Sequence, residues 1–289
     1  GSFRIPDVMA RSGAVLREVG ATNRTHLRDY EQAIGEDTAA LMRVHASNFR
    51  IIGFTGDVAL PDLRALADRH GLPVIEDLGS GTLIDFTPHG LPGEPTVART
   101  VADGADVVTF SGDKVLGGPQ AGVIVGRREY VERIKADPMN RALRIDKMTL
   151  AALEATLRLS LEPETAVERI PTLRMMTMPE ATLKTRAGRL ARLIAKELDG
   201  VLDVRTAKGA SRVGGGAFPE RDLPTTLVRL VPRGCTAAEL KRRLLDTDPP
   251  LAARLEDDAL CLDPRTLDSD EHPLVVRALA QALDRGKTP

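Results

Sequence analysis

Short apolar runs alternate with segments of helical periodicity through the first half of the chain. Strands are predicted at residues 14–19, 40–44, 73–76 and 107–110, and helices at residues 25–34, 61–70 and 95–103. The second of these helices begins at Pro61, because proline is favoured at the first helical position. Strand–helix–strand alternation is typical of a parallel sheet wrapped by helices, so the sequence predicts an α/β fold.

The second half of the chain has longer helical patterns and a different order of elements. Helices are predicted at residues 127–136, 146–160, 179–198, 236–246 and 271–285, and strands near residues 123–125, 201–205, 225–231 and 251–262. Pro163 and Pro171 mark a joint between the two halves. We therefore predict a large domain over residues 1–165 and a small α+β domain over residues 166–289.

Three predicted strands of the first half end in clusters of polar residues. The clusters are His45–Asn48, Asp77–Ser80 and Ser111–Lys114. Parallel sheets bind ligands beyond the carboxyl ends of their strands, and this topology would bring the three clusters together. The coincidence of three such clusters favours a ligand site more strongly than any one of them.

Lys114 stands at the tip of the strand that ends near Phe110, before the return strand. Lysine is rarely buried without a partner, and a desolvated amine loses its proton more readily. Such an amine can act as a nucleophile and form a Schiff base. The alternative is a surface lysine just past a strand end, and this stretch alone leaves both interpretations open.

A lysine Schiff base, an acid one strand earlier and an anion-binding turn are the parts of a pyridoxal phosphate (PLP) site. Asp77 could stabilise the protonated pyridine nitrogen, or merely cap a following helix. Ser111 could donate to the cofactor phosphate, or bond to the local backbone. Asn48 or His45 could contact the 3-oxygen or the ring face, although each could equally have a structural role.

Several segments, in the right order, resemble bacterial L-seryl-tRNA(Sec) selenium transferase, also called selenocysteine synthase. The similarity is clearest over the first 175 residues and thins towards the C-terminus. The matching segments are Phe-Arg-Ile-Pro-Asp-Val-Met at 3–9, Glu-Val-Gly-Ala-Thr-Asn-Arg-Thr-His at 18–26, Asp-Leu-Gly-Ser-Gly at 77–81, Ser-Gly-Asp-Lys-Val-Leu-Gly-Gly-Pro-Gln-Ala-Gly at 111–122, and Arg-Ala-Leu-Arg at 141–144 with its continuation through Glu154.

The resemblance implies a fold-type-I PLP-dependent transferase that converts seryl-tRNA(Sec) to selenocysteinyl-tRNA(Sec) with selenophosphate, by way of an aminoacrylyl intermediate. It implies that Lys114 carries PLP, that Asp113 is the neighbouring acid, and that Arg141 and Arg144 lie near the selenium donor. Arginines three apart on a helical turn share a face and can chelate a phosphate-like anion. Without the resemblance, a pair of solvated arginines would be the better interpretation.

The resemblance also predicts the oligomeric state and which parts of the family's chain are present here. Members of this family form dimers joined into larger rings, so we expect a homo-oligomer. The N-terminal tRNA-binding region of the family has no counterpart in these residues, so we expect a fragment in which the main tRNA contact and part of the cofactor pocket are missing. Basic residues on the predicted helix at 179–198 could contribute to tRNA binding, or form a solvated helix face.

Composition sets limits on the other functions. The 40 basic and 41 acidic residues nearly cancel, so any contact with nucleic acid must be local. No run of about 18 apolar residues and no signal peptide is present, and Cys235 and Cys261 are typical of reduced cytoplasmic thiols. The five histidines are scattered, so no metal site is predicted. Rival functions are a PLP-dependent ammonia-lyase acting on a small amino acid or amino-sugar acid, and a non-catalytic assembly subunit.

Overall fold

A computed structural model describes residues 4–214, 216–219 and 221–284. The chain divides into two compact units. The first comprises Gly1–Thr165 together with Gly215–Pro219, and the second comprises Ala166–Gly214 together with Glu220–Pro289. A short stretch between two strands of the second unit is therefore grouped with the first.

The first unit is built on a four-stranded sheet of order β1-β2-β3-β4. Its strands are β1 Leu41–Val44, β2 Val74–Gly79, β3 Val107–Ser111 and β4 Gly122–Gly126. The first three strands run parallel, and β4 returns antiparallel to β3. The mainly parallel α/β sheet predicted from the alternation is confirmed.

Seven helices of the described residues accompany this sheet in the chain. They are α1 Ile5–Arg11, α2 Leu27–Ala33, α3 Leu60–His70, α4 Val97–Ala102, α5 Arg128–Ala136, α6 Met139–Leu143 and α7 Lys147–Ser160. In α3, Pro61 lies in the first turn and the helix ends at Gly71 in the left-handed conformation, with φ of 65°. Both ends of this helix are therefore set by residues visible in the sequence.

The two faces of β2 have different environments. Val74, Glu76 and Leu78 are buried, whereas Ile75 and Asp77 are only half-buried. Successive side chains of a strand point to opposite faces, so the alternation is the expected one. Val74 and Leu78 belong to the core that α3 also enters, and Asp77 therefore lies on the other face.

The second unit contains an antiparallel sheet of order β5-β6-β8-β7. Its elements are α9 Pro171–Thr177, α10 Glu180–Glu197, β5 Leu202–Arg212, β6 Asp222–Pro232, α11 Ala237–Leu244, β7 Arg254–Glu256, β8 Ala259–Leu262 and α12 His272–Asp284, while α8 Pro163–Arg169 spans the boundary between the two sequence segments. On α10, Leu183, Leu190 and Ile194 are fully buried and recur at the spacing of one helical face. Among the basic residues of this helix, Arg186 pairs with Asp268 at 3.5 Å.

Two strand predictions were wrong. Residues 14–19 form no strand, because a strand needs a hydrogen-bonded neighbour and no described residue pairs with this segment; Val15 is 95% exposed. The single strand expected at 251–262 is the hairpin β7–β8 instead. Its turn is formed by Asp257 and Asp258, which adopt positive φ values of 45° and 56°.

Candidate active site

The carboxyl ends of β1, β2 and β3 lie side by side at one edge of the sheet. Because these strands are adjacent and parallel, the residues that follow them reach the same edge. His45, Ser47 and Asn48 follow β1, and Lys114 follows β3. In the register of the sheet Asp77 of β2 is opposite both Val44 and Thr109.

Asp77 keeps one carboxylate oxygen available. Its Oδ1 accepts hydrogen bonds from Thr109 Oγ1 at 3.0 Å and from the Gly79 backbone N–H at 3.3 Å. Its Oδ2 has no hydrogen-bond partner among the residues that the structure describes. The carboxylate is thus oriented by one oxygen and can accept a donor with the other.

Lys114 is half-buried just beyond β3, and its amine lies close to Gly79, which has no side chain. A Cβ added to Gly79 would lie 2.8 Å from Ser47 Oγ and 3.8 Å from Lys114 Nζ. Gly79 also has a φ of 68°, which side chains rarely adopt. Within the described ranges, Nζ makes no ion pair or hydrogen bond, so no carboxylate neutralises this amine.

Gly216 packs against the stem of the same lysine. A Cβ at this position would lie 2.8 Å from Lys114 Cδ and 3.1 Å from Cε. The Gly216 N–H donates to Asn48 Oδ1 at 3.2 Å. A run of three glycines such as Gly214-Gly215-Gly216 is typical of a flexible turn, so the sequence alone does not reveal this contact; Gly215 lies outside the described residues.

A buried carboxylate that the sequence did not single out lies beside Asp77. Glu94, whose side chain is 4% exposed, lies in the loop before α4 and accepts a hydrogen bond from Ser80 Oγ. Its Oε2 lies 3.4 Å from His45 Nε2. The His45 backbone N–H donates to Asp77 O at 2.8 Å, which ties the ends of β1 and β2 together.

The acid next to Asp77 has a different environment. Glu76 is fully buried and makes a bidentate ion pair with Arg43, with N–O distances of 2.7 and 2.9 Å. Burial, only partly offset by the Arg43 pair, raises the pKa of Glu76 above its ordinary value. Since Glu76 points away from Asp77, its role is structural.

Comparison with known proteins identifies the family. A family model described as SelA, L-seryl-tRNA selenium transferase, matches residues 1–268. The chain belongs to the L-seryl-tRNA selenium transferase family. The resemblance predicted from the sequence segments is thereby confirmed.

Individual relatives agree with this assignment. The L-seryl-tRNA(Sec) selenium transferase of Nitratidesulfovibrio vulgaris is 66% identical over 283 residues, which cover 98% of this chain and 60% of the relative. That of Solidesulfovibrio magneticus is 65% identical over 284 residues, with coverages of 98% and 60%. The chain thus spans about 60% of the length of these curated relatives.

Among solved structures, D-glucosaminate-6-phosphate ammonia-lyase is similar with a TM-score of 0.57 and 23% identity, over 96% of this chain and 66% of that one. At this identity the likeness shows the fold alone. The chain has the fold of fold-type-I PLP-dependent enzymes, as the sequence predicted.

The remaining predicted site residues lie on or near the surface. Ser111 is half-buried at the end of β3, and strand alternation places it on the face of Thr109. Asp113 is exposed. Arg141 lies in α6, and the backbone N–H of Arg144, the residue after that helix, still donates to Asn140 O at 2.9 Å.

The turn from Arg141 to Arg144 is therefore helical, and the two side chains leave it on one side. Both are exposed, and neither guanidinium makes an ion pair or hydrogen bond within the described part of the chain. They are free to receive an anion, but no described contact links them to Lys114.

Cys261 is buried and Cys235 half-buried, both are free thiols, and burial raises the pKa of each. Within the described ranges, no three His, Cys, Asp or Glu side chains are placed to hold a metal ion. In the same ranges, no helix has the length and apolar character needed to span a membrane.

Proposed function

We propose that this chain forms the PLP-binding core of an enzyme that converts seryl-tRNA(Sec) to selenocysteinyl-tRNA(Sec) with selenophosphate. The observation that carries the proposal is the half-buried amine of Lys114. It has no acidic partner among the described residues; the amine lies near Gly79, and the side-chain stem packs against Gly216. Membership of the selenium transferase family supports the choice of substrate.

The side chains at the strand ends fit PLP. Lys114 Nζ would hold its aldehyde carbon, and Asp77 Oδ2 would accept a hydrogen bond from the protonated ring nitrogen. Asn48 uses its Oδ1 on Gly216, which leaves its amide Nδ2 to donate to the 3-oxygen. Ser111 Oγ would donate to the phosphate, and His45 would contact the ring face.

When bound, PLP supplies an electron sink for the negative charge that develops on the substrate Cα. Lys114 Nζ would take the proton from that carbon, a step in which a positioned base is worth roughly 10²–10⁴-fold. The carboxylate of Asp77 would hold the proton on the ring nitrogen throughout. Thr109 and the Gly79 N–H keep this carboxylate oriented, so it need not reorganise during the reaction.

Arg141 and Arg144 would bind the selenium donor. Selenophosphate is an anion, and two guanidiniums on one side of a helical turn present several donors to it. Their exposure leaves both guanidiniums accessible to a ligand arriving from solvent. Asp113 is proposed as the catalytic acid beside Lys114, on the strength of the family motif.

We also propose that the active protein is a homo-oligomer. The first unit exposes several large apolar side chains, including Val15, Ile52 and Phe54, which are 95%, 76% and 91% exposed. Exposed apolar side chains that form a contiguous patch are typical of surfaces covered by another chain. Light scattering would test this, since a monomer at all concentrations would contradict it.

The reaction is tested by replacing Lys114 in the full-length protein. Lys114→Ala should abolish the borohydride-reducible PLP linkage and all transfer of selenium from selenophosphate to seryl-tRNA(Sec). Lys147→Ala, at an exposed lysine in the same unit, is the control and should retain both. A reducible linkage that survives in Lys114→Ala would overturn the assignment. Ammonia release from a small amino acid, with no selenium transfer, would favour a lyase.

A further inference from the structure

Glu94 is a buried acid that the proposed reaction does not use. Its side chain is 4% exposed, and a carboxylate removed from water needs donors around it. Those donors are Ser80 Oγ, which bonds to Oε1, and His45 Nε2, which lies 3.4 Å from Oε2. The two oxygens of one carboxylate thus serve residues that follow two different strands.

One of these partners is close to Asp77 along the chain, and the other is bound to it across the sheet. Ser80 is fully buried three residues after Asp77, in the turn that also contains Gly79. His45 is bound to Asp77 by its backbone N–H, at 2.8 Å from Asp77 O. Glu94 therefore cross-links the ends of β1 and β2 around the carboxylate expected to face the cofactor ring.

The contact with Glu94 also selects the protonation of His45. An ionised carboxylate can only accept hydrogen bonds, so His45 must carry a proton on Nε2 to bond to it. In a neutral imidazole the other nitrogen, Nδ1, is then an acceptor. A carboxylate behind a histidine thus fixes both the orientation and the tautomer of the ring.

We propose that Glu94 is a positioning residue for the lysine site, which holds His45 with its proton on Nε2 and, through Ser80, fixes the turn beside Asp77. The inference rests on the proposed function, because it gives His45 a place against the cofactor ring. Glu94 itself does not touch substrate or cofactor; it acts through His45.

The test replaces Glu94 by its amide. Glu94→Gln turns one of the two acceptor oxygens into an NH₂ group, which can only donate. With the amide oxygen kept on Ser80, as in the wild-type contact, the NH₂ group faces Nε2 and His45 should move its proton from Nε2 to Nδ1. With ¹⁵N-labelled histidine this is visible in the protein without cofactor, since the chain has only five histidines, and His45→Gln identifies the signal.

Activity gives the second readout. Glu94→Gln should lower kcat by roughly 10-fold to 100-fold with little change in KM, because a misoriented group acts on the transition state. Adding Glu94→Gln to His45→Gln should lower kcat no further, since residues that act through one another are not additive. If Glu94→Gln fails to fold, Glu94→Asp is the second variant. It keeps the charge but has a shorter side chain, so its carboxylate should bond less well to His45 Nε2. The ¹⁵N signal of the Nε2-protonated imidazole should therefore weaken.

Asp106→Asn is the matched control. Asp106 is also a buried carboxylate of the first unit, paired with Arg64 and Arg127, but it precedes β3 at the end opposite to Lys114. Its replacement should lower stability and leave the His45 tautomer unchanged. A changed His45 tautomer in Glu94→Gln with wild-type kcat would overturn the inference, as would wild-type kcat in a folded Glu94→Leu protein, whose side chain offers His45 no acceptor in any orientation.

Failure of the proposed function has a different signature. It would be seen in the wild-type protein, as a Lys114 linkage without selenium transfer. In that case the His45 spectrum still decides whether Glu94 sets the tautomer, and PLP affinity replaces kcat as the second readout. Unchanged PLP affinity in Glu94→Gln would then overturn the inference.

Discussion

The contact between Gly216 and Lys114 can be tested with a single methyl group. Gly216→Ala would place a Cβ 2.8 Å from Lys114 Cδ, whereas ordinary contacts begin at 3.4 Å. The lysine stem would have to move by about 0.6 Å, because a packed interior cannot absorb such an overlap. Gly216 also has a φ of 100°, so the alanine variant carries backbone strain of about 1–3 kcal/mol.

The chain offers a control that separates strain from contact. Gly214 has a φ of 97°, but nothing lies within 4 Å of the Cβ that an alanine would add there. Gly214→Ala should therefore lose similar stability in urea unfolding and keep its PLP linkage. Gly216→Ala should lose the same stability and, in addition, displace Lys114.

Displacement of a reacting amine by a fraction of an ångström costs roughly 10-fold to 100-fold in rate. We therefore expect Gly216→Ala to form the borohydride-reducible linkage at Lys114 at least about 10-fold more slowly than Gly214→Ala. The linkage is measured by the mass of the peptide that contains Lys114 after reduction. Equal rates in the two variants would refute the reasoning, because both alanines carry backbone strain but only the one at position 216 would contact Lys114.

Three further results are expected. Asp77→Asn should keep the Thr109 hydrogen bond and fold normally, but lose roughly 100-fold or more in selenium transfer, because the ring proton loses its charged acceptor; transfer within 10-fold of wild type would contradict this. Arg141→Gln and Arg144→Gln should each raise the KM for selenophosphate with little effect on PLP binding, and unchanged KM would remove the pair from the donor site. Burial, with nearby arginines, lowers the pKa of His272 in the folded protein below its ordinary value of 6.5. As the pH drops through about 6.5 the unfolded chain binds a proton that the folded protein does not, so the free energy of unfolding falls. His272→Gln should therefore lose less stability than wild type between about pH 7.5 and about pH 5.5 in urea unfolding, and equal losses would contradict this.

The sheet of the first unit could be predicted because its signals are local. A proline in the first turn and a glycine after the last turn bound α3, and the apolar run from Val107 to Phe110 forms the centre of β3. From strands alternating with helices, a parallel order follows by general rules of connection. That order alone brings the ends of three strands to one edge, before any side chain is considered.

The parts that were missed depend on contacts between distant residues. Gly216 is 168 residues from Asn48, and Glu94 is 49 residues from His45. Neither residue lies in a recognisable local pattern: a run of glycines is typical of a flexible turn, and a single glutamate before a helix is typical of a surface. Their roles follow only from the fold, which buries one and packs the other on a lysine.

The neighbouring acids of β2 show how packing can assign chemistry to a sequence that is locally ambiguous. Glu76 and Asp77 are both carboxylates, and the side-chain period of a strand sends them to opposite faces. A slip of one residue would bury Asp77 and turn Glu76 towards Lys114, so the register of β2 decides which acid serves the site. Arg43 holds that register, because its bidentate pair satisfies Glu76 only when that carboxylate points to the buried face. The ion pair has no part in the proposed reaction, but it thereby determines which acid can take part in it.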